Sequence, residues 1–99
     1  MAELINRVIC IDNKKTSMRL ATAEWSALEF ICTRENIKRN QLLELIDSHK
    51  NNKMGLTNAV RLFSIVYLHH LFAEKQHPSY NLSKSEPITP IFYAIKGIL

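Results

Sequence analysis

Ninety-nine residues suffice for one domain with a short extension. At 46% hydrophobic and 22% charged residues, the composition excludes a disordered chain, and two Gly and three Pro favour helices over a loop-rich β fold. Thirteen Lys and Arg against nine Asp and Glu leave a net charge of +4, which points to an anionic partner, nucleic acid before membrane.

In chain order, RVICID at residues 7–12 is a short, β-branched apolar run and reads as a strand. Asn13 and Lys14 turn the chain, without the Asn-Gly pair that best marks a tight hairpin. Residues 15–20 alternate with period two: Thr16, Met18 and Leu20 on the inner side, Lys15, Ser17 and Arg19 on the outer. Thr22 is placed to cap a helix that runs to about Glu35, with Glu24 in its first turn and Trp25, Leu28 and Ile31 or Cys32 on its inner face. Asn36 suits a left-handed stop, with Ile37 packed beneath it. A second helix spans about 39–49, with Leu42, Leu45 and Ile46 inward and Leu43 at the edge. KNNKMG at 50–55 is a loop, and Thr57 caps a third helix reaching about Lys75. That helix is apolar almost all round, so it needs a second wall, for which another subunit is the natural candidate. After His77-Pro78 a polar, proline-bearing stretch leads to IFYAIKGIL, which is too apolar for a disordered tail. The fold class is therefore mainly α with a short β-ribbon, in the order β-β-α-α-α plus a C-terminal segment. Residues 1–76 form the domain, and 77–99 form an extension that docks on it or on a dimer mate.

An isolated two-stranded ribbon is marginal in water, and an exposed strand edge seeks a partner. Pairing residues 15–20 of two copies resolves both. It also gathers Lys15, Ser17 and Arg19 of both chains on one face, and a two-stranded ribbon fits the DNA major groove. Arg bonds guanine in a forked pair, Lys less rigidly, and Ser accepts or donates. The bland alternative is a solvated strand face.

Residues 15–47, followed by GLTNAVRLFSIVYL, resemble the ribbon-helix-helix DNA-binding family. More narrowly, they look like a bacterial branch with an extra strand before the ribbon and an extra helix. The matching positions are Thr16, Ser17, Met18, Leu20, Trp25, Leu28, Arg34, Glu35, Ile37, Asn40, Leu42, Ile46, Asp47, Leu56, Thr57, Ala59, Arg61 and Phe63, and RVICID matches the extra strand. No single piece is specific; the ordered set over residues 7–72 is. The resemblance implies an obligate homodimer that reads double-stranded DNA with its strand pair, Lys14, Lys15, Ser17 and Arg19 lying at the reading surface. It also implies that a helix N-terminus holds a phosphate on each flank, where free N–H groups and the dipole favour an anion. The family's Gly and Ser before its second helix are Asn36 and Lys38 here. The pattern Gly-apolar-Ser/Thr recurs at Gly55-Leu56-Thr57, so two phosphate clamps stay open: Lys38, Arg39 and Asn40, or Thr57 and Asn58.

Other chemistry finds little footing. Cys10 and Cys32 form no CxxC and read as small hydrophobes of a reducing cytosol. Adjacent His69 and His70 diverge by about 100° on a helix and cannot chelate as an i, i+4 pair does. No HExxH, GxSxG or phosphate-binding glycine loop occurs, so no enzyme and no cofactor is expected. Lys50 and Lys53 read as a soluble loop, Trp25 as core, and Glu24, Glu29 and Glu35 as solubility charges. Neither a signal peptide nor a run of roughly 18 apolar residues is present, so the expectation is cytoplasmic. The alternative function is a protein-interaction module, or an antitoxin-like protein, whose C-terminal segment binds a partner protein.

Overall fold

The computed structural model describes residues 3–76 and 90–99. The His77-Pro78 break and the polar stretch to residue 89 lie outside the described residues. A two-stranded antiparallel ribbon, β1 (Leu4–Ile11) and β2 (Lys14–Ala21), is followed by α1 (Thr22–Glu35), α2 (Arg39–His49), α3 (Leu56–Gln76) and α4 (Pro90–Ile98). The architecture is a β-ribbon followed by helices, as expected from the sequence.

The first strand starts at Leu4 rather than residue 7, and it pairs with β2 inside the chain. The turn falls at Asp12 and Asn13, with φ 51° and 66°, not at Asn13 and Lys14. Positive φ at both central positions matches the right-handed twist of the flanking strands, and Asp and Asn tolerate it better than most side chains. The Asp12 N–H donates to Glu44 Oε2 at 3.2 Å, which tethers the turn to α2. Register pairs Ile5 with Leu20, Arg7 with Met18 and Ile9 with Thr16, so these face the helices together. Ile9, Met18 and Leu20 are buried; Thr16, near the ribbon tip, is exposed although its parity points inward.

Ala21, not Thr22, caps α1, since it alone has extended backbone there (φ −66°, ψ 157°) and Thr22 is already helical. The orphan Ala21 N–H is satisfied by Glu24, whose Oε1 accepts it at 2.8 Å. Trp25, Leu28 and Ile31 are buried along one face at three-residue spacing. Asn36 ends the helix in left-handed geometry, φ 57° and ψ 50°, where Ile37 N–H donates to Cys32 O at 3.0 Å. In α2, Leu42, Leu43 and Ile46 are buried while Leu45 is half-buried, the reverse of the sequence reading for Leu43 and Leu45. The cause is geometric. The face of α2 turned to the core is wide enough to take adjacent residues, because α1, α3, α4 and β1 all pack against it.

Helix α3 begins at Leu56, and Gly55 O accepts the first helical N–H, from Ala59, at 3.0 Å. Thr57 is therefore inside the first turn and is not the cap. Much of the broad apolar surface of α3 is covered within the chain by α4, which packs on it antiparallel. His70 stacks on Tyr93 with ring centroids 3.9 Å apart. Gly97 lies against Val66 so closely that a Cβ there would meet Cγ2 at 3.0 Å. Ala94 and Ile98 are fully buried, and Ile98 O accepts the Asn51 N–H at 2.8 Å. On the other side of α3, Ile65 and Phe72 stay exposed. No helix among the described residues is long and apolar enough to cross a membrane.

Candidate nucleic-acid interface

The outward face of the ribbon carries Lys15, Ser17 and Arg19 in one exposed row. Beside them, on the same face, β1 presents Cys10, Val8 and Asn6, paired respectively with those three. Val8 is 66% exposed, an unusual position for a β-branched apolar residue. The sequence concealed this second row because VICI, residues 8–11, is apolar on both faces and shows no alternation. Lys14 is exposed at the ribbon tip but belongs to the inward-facing parity, opposite Ile11, so it does not extend the row.

The two candidate clamps are placed differently. Lys38 caps α2, Arg39 opens its first turn and Asn40 follows, Lys38 and Asn40 exposed. The Arg39 guanidinium carbon lies 5.5 Å from the centre of the Trp25 ring. The Arg7 guanidinium, from β1, lies 5.0 Å from the same ring. The start of α2 thus stands beside the ribbon. Thr57 and Asn58 lie in the first turn of α3, and none of the described hydrogen bonds or ion pairs joins them to the strands.

Trp25 is the post around which this corner is built. It is 2% exposed, and its Nε1–H donates to Ile5 O at 2.9 Å, fixing β1 to α1. Arg7 also faces Glu29, at 3.7 Å between Nη1 and Oε2. The acids of α1 are therefore not mere solubility charges. Glu24 accepts Arg61 Nε at 2.8 Å in addition to the Ala21 N–H, joining the end of β2, the start of α1 and α3. Burial alone would raise the Glu24 carboxyl, but the Ala21 N–H and the Arg61 guanidinium outweigh it and hold its pKa below the ordinary carboxylate value. Glu35 accepts the Tyr67 hydroxyl at 2.5 Å; burial first, and then that carboxylate, push the tyrosine pKa up.

Among the described residues β2 is paired only on its β1 side. An apolar groove of about 160 Å³ runs beside Leu20, between α1 and α3, lined by Ala23, Ala27, Val60, Ile65 and Leu68. The Glu24–Arg61 pair lines the same groove. No group of three or more metal-ligating side chains occurs among the described residues. Cys10 and Cys32 are free thiols, half-buried rather than buried, and burial pushes the Cys32 pKa up.

A family profile for the ribbon-helix-helix domain matches residues 4–68, which takes in both strands, α1, α2 and α3 as far as Leu68. No curated protein and no solved structure matches the chain.

Proposed function

Given that the chain belongs to the ribbon-helix-helix family, whose members generally bind DNA as transcription regulators and typically as dimers, we propose a sequence-specific DNA-binding homodimer that regulates transcription in the bacterial cytoplasm. The observation that carries the reading is the exposed row Lys15, Ser17 and Arg19 on a strand whose reverse face, Met18 and Leu20, is buried. A row so anchored cannot turn away from a ligand. Arg19 is the forked guanine reader, Lys15 a less directional one, and Ser17 the adaptable contact between them. Lys14, at the tip, serves phosphate.

The side of β2 left unpaired among the described residues supports the dimer. A second copy pairing there, strand to strand, would satisfy the open N–H and C=O groups. Its apolar side chains would fill the groove beside Leu20. The two outward rows would then form one patch. Of the two clamps, Lys38, Arg39 and Asn40 are favoured over Thr57 and Asn58, because the α2 start stands beside the ribbon. A partner protein on the C-terminal segment has less support, since Ala94 and Ile98 are already buried in the core.

The test is selection of bound duplexes from random-sequence DNA across a salt series. An enriched, roughly symmetric motif is expected. Arg19→Ala should relax one position of that motif and cost roughly 1–3 kcal/mol per contact. If Arg19→Ala leaves the motif and its affinity unchanged while the dimer is intact, the ribbon does not read the groove.

A further inference from the structure

We infer that Arg7 and Arg39, gathered over the single indole of Trp25, form a two-guanidinium grip on the DNA phosphates flanking the ribbon, with Trp25 as the positioning residue and Glu29 as an acidic guard on Arg7. The inference rests on the DNA reading above and adds to it a residue, Arg7, from the strand that precedes the reading strand.

Two cations seldom share one side chain without a reason. Here the guanidinium carbons sit 5.0 and 5.5 Å from one ring centre, so they are at most about 10.5 Å apart. The ring's negative face attracts each of them, but they repel each other. The only described carboxylate that pairs with either is Glu29. Its contact with Arg7 is long, 3.7 Å, and its side chain is 61% exposed. Arg39 forms no ion pair among the described residues. At this corner two guanidiniums meet one acid, a net charge of +1, and Lys38, adjacent to Arg39 in the chain, adds a further exposed cation.

Position gives this charge its use. Adjacent strands lie about 4.8 Å apart, so a sheet made by two copies joined at β2 spans about 14 Å between its two β1 strands. The major groove is about 12 Å wide. Each β1 therefore runs along a groove wall, where the phosphates are, rather than over base edges. Arg7 is the one cation on β1. Its pairing with Met18 puts it on the helix side of the sheet, where Arg39 and the start of α2 stand. The indole restricts both arginines before DNA arrives, so less side-chain freedom is lost on contact.

The experiment measures binding of the full chain to random and to selected duplex DNA over a salt series, for the wild type, Arg7→Gln, Arg7→Lys and Glu29→Gln. Each neutralised phosphate contributes about 0.9 to the slope of log K against log salt. Arg7→Gln should lower the slope by about that amount per protomer and weaken binding by similar factors on both DNAs, leaving the selected motif unchanged. Arg7→Lys should keep the slope. Glu29→Gln should strengthen binding, because it removes an acid from the phosphate path. A merely structural Arg7–Glu29 pair predicts the opposite for Glu29→Gln, since loss of either partner would weaken the fold alike. An unchanged slope in Arg7→Gln, with the fold intact by circular dichroism, overturns the inference and leaves the DNA reading standing. Wild-type binding that is weak, unselective and insensitive to salt overturns both.

Discussion

Glu24 offers the sharpest test of how the ribbon is fastened to the helices. One carboxylate oxygen accepts the Ala21 N–H and the other Arg61 Nε, each at 2.8 Å. Glu24→Gln keeps an amide oxygen for the Ala21 N–H but removes the charge facing Arg61. Both side chains are 35% exposed, so solvent screens the pair, and its loss should cost only about 0.2–1 kcal/mol. Glu24→Ala also strips the acceptor from the helix-start N–H, a hydrogen bond worth a further 0.5–1.5 kcal/mol or so. The alanine variant should thus lose roughly 1–2 kcal/mol in all, and each kcal/mol lowers Tm by about 4–8 °C in a domain of this size. Urea unfolding of both variants at one fixed protein concentration measures the losses, because any self-association would add to apparent stability. The sign with pH is also set. A carboxyl whose folded pKa lies below its unfolded value, 4.5, contributes fully above that value and loses its contribution as pH falls through the folded pKa. The gap between wild type and Glu24→Gln should therefore be present at pH 7 and close in acid. Equal damage from Gln and Ala at pH 7, or a gap that persists undiminished in acid, would refute the junction as described.

Three further outcomes are expected. Trp25→Phe removes the Nε1–H that Ile5 O accepts and should cost about 1–3 kcal/mol in urea unfolding, with faster amide exchange along β1 than along β2. At Asn36, held at φ 57°, Gly should stabilise by up to about 1 kcal/mol while Val should destabilise by roughly 1–2 kcal/mol; a thermal melt reads both signs. Gly97→Val forces a branched side chain into Val66, already 3.0 Å from a single added Cβ, and should loosen α4. Hydrogen exchange should then rise at Ala94 and Ile98 and leave β2 unaffected.

Much of the chain's local order was legible because it rests on short-range periodicity. The alternation at 15–20 gave β2, the three-and-four spacing of Trp25, Leu28 and Ile31 gave α1, and α2 falls at 39–49 as read. Asn36 was identified as the left-handed stop because few other side chains tolerate that geometry. Sequence and structure differ where local signals compete. Thr22 is the better capping residue by type, yet the backbone turns at Ala21 and Glu24 supplies the acceptor from within the helix. Leu43 and Leu45 exchanged roles because the number of elements packed around α2, not its own pattern, determines how wide its buried face is.

The candidate interface divides in the same way. Lys15, Ser17 and Arg19 were visible because strand parity alone puts them on one face. Arg7 was not, since nothing near it in the sequence announces Trp25 and Arg39. Nor did composition reveal that Glu24 and Glu35 bond partners 37 and 32 residues away, in α3. Hydrophobic period, charge and turn chemistry are properties of neighbours along the chain, and from them the sequence by itself determined a ribbon, its helices and an exposed row of Lys15, Ser17 and Arg19 on one strand face. Which strand pairs with β2, what covers α3 and which charges meet at Trp25 depend on residues brought together from distant segments, and only the tertiary structure decided them.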